Sequence, residues 1–394
     1  MKYYMNVINE KGNIALEDTL LYKGAPACAG SRILEGYTPL FSAEAVKRLE
    51  ENGYVISGKA HVGEFGLDLL GEFSHYDKKE GALKGAAASL VAEGAVKAAL
   101  GVDMNGFTRR AAAISRVDFI KPTYGTVSRY GVISCAASGE QVGVYAGNAT
   151  DTAEILNVIS GHDEKDGTSL KNEKYQYTAS ADISGKRVCV IKELLDKADD
   201  ATKANINAYI GALKKKGVEV EEISSDIFEI SNIAWQILMT AETCNNVSRY
   251  DGVKYGYRAK EYKDIDELYV NSRTEGFNFL TKAVIMYGSD VLSKLRYKAC
   301  YEKSLKIRRV VSEKYKELMS KYDAILTPVC SKTSYEAYDI KDAFLKVFEE
   351  GVFTSVANLI GTPAYVTKGV QLLGGHFNES ALLSIAAACE GEVE

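Results

Sequence analysis

The nonapeptide at residues 101–109, GVDMNGFTR, crowds several reactive side chains around two glycines: the carboxylate of Asp103, the amide of Asn105, the hydroxyl of Thr108 and the guanidinium of Arg109. Phe107 stands among them, and a benzyl group has no lone pair with which to attack a carbonyl, so Phe107 cannot be a nucleophile. Thr108 carries the one hydroxyl of the stretch. Elsewhere the reactive residues are dispersed. Seven cysteines (Cys28, Cys135, Cys189, Cys244, Cys300, Cys330 and Cys389) stand singly without a C-x-x-C pair, and His61, His75, His162 and His376 are isolated. An odd, scattered set of thiols fits a reducing compartment rather than a disulfide framework or a zinc site, and the pattern calls for no metal and no cofactor.

The frame of 101–109 resembles the nucleophile loop of the amidase signature family, G-S-D-T-G-G-S-I-R, whose second serine attacks the amide carbon. Other segments follow in the order found in that family's tRNA-dependent amidotransferase branch. They are FIKPTYGTVSRYGVISCAASGEQVG (119–143), DTAEILNVISGHDEKDGTS (151–169), SRYDGVKYGYRA (248–259), SRTEGF (272–277), YDAILTP (322–328) and FTSVANLIGTPA (353–364). The resemblance spans nearly the whole chain. It implies an α/β fold, a mixed, mostly parallel twisted sheet covered by helices on both faces, in a single domain over residues 1–394. Members of that branch hydrolyse glutamine and hand ammonia to a partner, so the resemblance also implies protein partners, amidotransferase-like subunits among them.

The same register places the family's Ser, cis-Ser, Lys triad. The lysine of its K-D-N motif falls on Glu17, followed by Asp18 and Thr19 and, at matching spacing, by SRILEGY (31–37). The bridging serines of G-G-S-S-G-G-S fall on Leu83 and Lys84, and the attacking serine on Phe107. That mechanism needs a base to draw a proton through the bridging serine from the attacking one, with backbone N–H groups holding the oxyanion. Every part is replaced here. A one-residue slip would make Thr108 the nucleophile, but Asp103 and Arg109 fit the frame on either side. With no proton to relay at Leu83, the peptide preceding it is expected to be trans.

The substrate side is altered too. The family arginine for the glutamine carboxylate falls near Lys282, Ala283 and Val284, and the aspartate for its ammonium falls on Gly351. A lysine lacks the planar fork that grips a carboxylate at two points. Leu83, Phe107, Ala283 and Val284 suit a filled pocket, since a buried apolar side chain recovers about 1.5–3 kcal/mol. A pocket reshaped to another small molecule is the alternative. Glu17 and Lys84 are expected either to pair in the old pocket or to face water.

The elements that must position these residues read as alternating strands and helices. Strands are expected at 13–16, 54–57, 187–191, 323–326 and 370–373. Helices are expected at 42–52 with a serine cap, 85–100, 201–216, 287–322 and 379–389. The lysines at 214–216 read as the charged end of a helix. Such alternation implies a mostly parallel sheet with helices on both faces. At 394 residues with 46% apolar content, no linker divides the chain. Its net charge of −5 argues against strong nucleic-acid binding. The polar start MKYYMNVINEKG and the absence of a long apolar run place it in the cytoplasm and off the membrane. Against the family pattern, only sixteen residues precede Glu17, so the helical segment before the lysine strand is expected to be missing, and the active-site stretches at 66–80 and 368–369 are expected to be short.

The sequence therefore reads as a catalytically inactive amidase-fold protein with an interaction, scaffold or regulatory role. An amidase or glutamine-hydrolysing amidotransferase subunit with a non-standard nucleophile, and a small-molecule binder using the altered pocket, are the alternatives. Tyr250 to Arg258 and Tyr297 to Lys306, rich in tyrosine and basic residues, are the expected interaction surfaces.

Overall fold

The computed structural model describes residues 2–76, 84–171, 175–179 and 182–393. Within them one sheet is built from β1 (Tyr4–Val7), β2 (Ile14–Glu17), β3 (Ile56–Ala60), β4 (Ala98–Asp103), β5 (Asp118–Lys121), β6 (Gln141–Ala146), β7 (Arg187–Ile191), β8 (Glu219–Ile223), β9 (Ala324–Pro328), β10 (Ala364–Thr367) and β11 (Val370–Leu373). Their spatial order is β1-β3-β2-β4-β6-β5-β10-β11-β9-β7-β8. The sheet is mixed, but it is not mostly parallel as expected: six of the ten neighbouring pairs are antiparallel. The excess comes from direct returns that need no crossover helix. Between β10 and β11, for instance, Lys368 and Gly369 both hold positive φ (47° and 78°), the conformation of a two-residue hairpin turn.

Strand alternation divides the core. Ile14 and Leu16 of β2, Leu100 of β4 and Val144 of β6 pack on one face with Val46, Leu49, Leu156 and Leu382 from the helices Glu44–Glu51, Ala149–Ile159 and Glu379–Cys389. Ala15, Ala99 and Tyr145 pack on the other, under the helices Ala86–Ala92 and Phe107–Ser115. The residues that could do chemistry lie on this second face, because Glu17 follows Ala15 by two, and Gly101 and Asp103 follow Ala99 by two and four.

The helices depart from expectation in three places. The helix at Glu44–Glu51 starts from Ala43 with no side-chain cap, while the Ser42 hydroxyl accepts from the Lys23 N–H at 3.0 Å. The expected helix over 85–100 stops at Ala92, because Gly94 takes a left-handed φ of 67° and the chain straightens into β4. The expected helix over 287–322 is interrupted. Phe279–Leu292 ends where Ser293 turns extended (ψ 153°), a π turn winds Lys298–Glu302, and a new helix runs Lys303–Met319. The elements at 187–191, 370–373 and 379–389 stand where the pattern placed them.

A further cluster gathers around Trp235, on the helix Ile227–Asn246. Its indole donates to the Met104 carbonyl at 3.1 Å and thereby braces the 103–106 loop. Gly139 lets the ring approach: a Cβ there would sit 2.1 Å from the indole edge. Gly139→Ala should therefore cost about 1–3 kcal/mol of overpacking, read as a lower urea midpoint at unchanged m-value.

Candidate functional site

The site is organised by a buried ion pair. β4 ends at Asp103, whose carboxylate accepts from Arg109 Nε at 3.0 Å and from a terminal nitrogen of the same guanidinium at 3.1 Å, with both side chains wholly buried. Thr108 Oγ1 donates to the same carboxylate at 2.5 Å and Asn358 Nδ2 at 2.7 Å. Burial alone would raise the proton affinity of Asp103, but the Arg109 charge and these hydrogen bonds overcome it and hold the carboxyl well below the usual carboxylate range. Arg109 spends its remaining donors on Gln371 Oε1, the Thr354 carbonyl and Asn358 Oδ1 at 2.7, 3.1 and 2.6 Å. The neighbouring Arg110 bonds the carbonyls of Leu69 and Asn105, each at 3.0 Å, and Thr354 Oγ1 at 3.1 Å. Gly106 reverses the chain at φ 88°, and a Cβ there would come within 2.4 Å of Thr354.

Phe107 is the first residue of the helix Phe107–Ser115 and is 3% exposed. Its ring lies over Gly66, where a Cβ would meet Phe107 Cε1 at 2.7 Å. The segment around Gly66 is fastened to the loop below it through Asn105 Nδ2, which donates to the Leu67 carbonyl at 3.0 Å.

Glu17, at the end of β2, is 2% exposed. It neither faces water nor pairs with Lys84, the two arrangements expected of it. Its carboxyl lies against Gly101, where a Cβ would come within 2.8 Å, and it accepts from the Val102 N–H at 3.1 Å and from the Tyr145 hydroxyl at 3.0 Å. Burial pushes its pKa up to about 8, with the nearby Asp103 and Asp68 carboxylates adding to the rise and those two hydrogen bonds opposing it. Lys84 is exposed, and its carbonyl accepts from the Ser115 hydroxyl at 2.7 Å, at the far end of the helix that Phe107 begins. Eight residues of helix separate those ends, about 12 Å along the axis. Leu83 and the peptide preceding it lie outside the described residues.

Thr108 is fully buried, with its hydroxyl committed to Asp103. Lys282 donates to the Thr274 carbonyl at 3.0 Å, Ala283 is half-buried, and Val284 is buried in the cluster around Trp235. Gly351 abuts Asn232 and Gln236, 2.3 and 2.8 Å from a Cβ placed on it. Beside it opens a recess of about 550 Å³ lined by Asn232, Ile233, Ser331, Phe348, Glu350 and Phe353; Glu17, Lys84, Phe107 and Thr108 are not among its lining residues.

One expected interaction surface changes. Tyr250 is 8% exposed, stacked on Phe65 with ring centroids 5.7 Å apart, so it packs the core rather than a partner. Tyr255 and Arg258 do reach solvent, while Tyr257 is half-buried beneath the Arg32 guanidinium, 3.8 Å above its ring.

Comparison with known proteins settles the family. The profile described as Amidase matches residues 13–383. This chain belongs to the amidase family. Among curated amidase-family relatives, the A subunit of glutamyl-tRNA(Gln) amidotransferase from Halothermothrix orenii is 34% identical over 96% of this chain and 83% of that protein. Its counterpart from Fusobacterium nucleatum is 35% identical over 96% and 82%. The crystal structure of the Thermotoga maritima counterpart superposes with a TM-score of 0.81 at 29% identity, covering 99% of this chain and 86% of that one. Among the described residues, no helix is long and apolar enough to cross a membrane.

Tyr145, Arg110 and Trp235 were not singled out from the sequence. Tyr145 had a signal: it follows Gly143 by two in β6, which puts it on the side of the sheet that carries Glu17.

The buried groups set the stability of the site and its pH dependence. Removing the Phe107 ring leaves a cavity, so Phe107→Ala should cost about 3–5 kcal/mol in urea unfolding. Glu17 binds its proton more tightly folded than unfolded, so its contribution to stability is present below an ordinary carboxylate pKa and is lost as pH rises to about 8. Glu64, Glu72 and Asp118, raised by burial to about 7, 8 and 6, act in the same direction. Stability should fall between about pH 5 and 8. Glu17→Gln should flatten that fall by about 1.4 kcal/mol per pH unit in chemical denaturation at stepped pH.

Proposed function

We propose that this amidase-family chain is a pseudoenzyme related to the glutaminase subunit of tRNA-dependent amidotransferases, serving as an interaction, scaffold or regulatory protein. The observation that carries this reading is Phe107, a buried phenyl ring at the register position of the attacking serine. Loss of a nucleophile or of its base typically removes about 10⁴ to 10⁶ in rate, roughly 5–8 kcal/mol of barrier. Thr108 does not make good the loss. Its hydroxyl is fully buried and donates to Asp103, a carboxylate whose proton affinity is depressed and which is a correspondingly weak base. Glu17, with a pKa of about 8, is mostly protonated at neutral pH and is an acid rather than a base there.

A second reading, a glutamine-hydrolysing amidotransferase subunit with a non-standard nucleophile, is favoured by the names of the relatives, which are 34–35% identical over 96% of the chain. The two part company in a single assay. Purified protein incubated with glutamine, asparagine or simple amides should release ammonia no faster than buffer, whereas turnover abolished by Thr108→Ala or Glu17→Gln would establish the second reading. The combined Phe107→Ser, Leu83→Ser, Lys84→Ser and Glu17→Lys protein should show a lowered thermal midpoint and at most weak activity on uncharged amides. Robust glutamine turnover at an unchanged midpoint would mean that the site was never filled.

A further inference from the structure

The stretch that follows the helix Phe279–Leu292 breaks with the rest of the molecule in charge. The chain as a whole carries −5, yet residues 294–309 hold seven cations and a single anion, Glu302. Some of that charge is internally answered: Arg296 pairs with Asp290 at 3.7 Å, Lys306 with Glu302 at 2.8 Å and Arg309 with Glu313 at 3.0 Å, and Arg308 donates to the Ser138 carbonyl at 3.1 Å. Lys294, Lys298 and Lys303 are exposed and have no ion pair among the described residues. Large apolar groups stand among them. Leu295 is 91% exposed, Tyr297 43% and Leu305 42%, and the rings of Tyr297 and Tyr301 lie 5.3 Å apart. The backbone carrying them is the π turn, closed by the Glu302 N–H on the Tyr297 carbonyl at 2.9 Å, a geometry that inserts a residue into the helical ladder and recurs at functional sites.

We infer that the surface from Lys294 to Leu305 docks an acidic amphipathic helix of a partner protein. Lys294, Lys298 and Lys303, none of them in an ion pair among the described residues, supply complementary charge, and Leu295, Tyr297 and Leu305 supply the apolar contacts that a helix reads through residues three and four apart. A nucleic acid fits less well, because two exposed leucines have no counterpart in a phosphodiester backbone and the remainder of the chain is strongly acidic. This inference goes beyond the proposed function and does not depend on whether the site hydrolyses amides.

The test is fluorescence anisotropy of the intact chain with a labelled helical peptide of about 20 residues, built of glutamates and bearing leucines at i, i+3, i+4 and i+7. Micromolar binding is expected, weakening about tenfold or more between roughly 50 and 300 mM salt. It should weaken about tenfold or more in the Lys294→Glu, Lys298→Glu, Lys303→Glu protein, and several-fold with little change in salt dependence in Leu295→Ala. The inference is overturned if the triple variant and Leu295→Ala, both confirmed folded by circular dichroism, bind as the parent does. It is equally overturned if a single-stranded RNA of about 20 nucleotides binds more tightly than the peptide. Dimerisation that is lost in Leu295→Ala would assign the surface to a second copy of the chain and overturn it as well.

Discussion

The Asp103–Arg109 pair is the constraint from which the architecture of the site follows. Both groups are removed from water entirely, and a charge in that position is tolerated only when its partner and its remaining hydrogen-bonding capacity are supplied. Arg109 meets this condition by reaching Thr354, Asn358 and Gln371, distant in sequence, so one guanidinium ties the end of β4 to the segment before β10 and to β11. Arg110 repeats the device toward Leu69 and Asn105. A loop held by these side chains from so many directions has its backbone fixed around Phe107.

The same fixed backbone positions the two side chains on which the proposed loss of chemistry rests. Phe107 occupies the first turn of a helix whose start is set by Gly106 and by the clamp on Asp103, and its ring takes up space over Gly66. Glu17 is accommodated in a similar way. Gly101 leaves room for the carboxyl, Val102 and Tyr145 donate to it, and burial keeps it protonated near neutral pH. Both side chains are satisfied locally, one by apolar packing and one by hydrogen bonds, and both are buried.

The sequence revealed more of the frame than of its contacts. Motif order placed Asp103, Arg109, Phe107 and Glu17 in one region because their spacing follows strands and turns that the family shares. Short apolar runs located the strands at 187–191 and 370–373, which are buried almost throughout, with Gly185 shortly before the first and Gly369 and Gly374 bounding the second. Periodicity overextended the helices at 85–100 and 287–322, where Gly94 and Ser293 break the backbone within stretches that still look helical in composition. Strand direction was misjudged because it depends on which strands become neighbours, and a short return such as that at Lys368 and Gly369 reverses it without a long sequence signal. Lys84 was drawn toward the site by counting, whereas the structure carries it to the opposite end of the helix from Phe107. The Tyr145 contact was hidden for a different reason: a single tyrosine in a strand declares its face but not its partner.

The central claim is that no nucleophile in this site is available for acyl transfer. A fluorophosphonate forms a covalent adduct with any activated serine or threonine hydroxyl, so incubating the folded protein with it and weighing the intact chain by mass spectrometry tests that claim whatever the substrate. The unmodified mass is the predicted result. A stoichiometric phosphonyl adduct mapped to Thr108, and not formed when the protein is denatured beforehand, would contradict it.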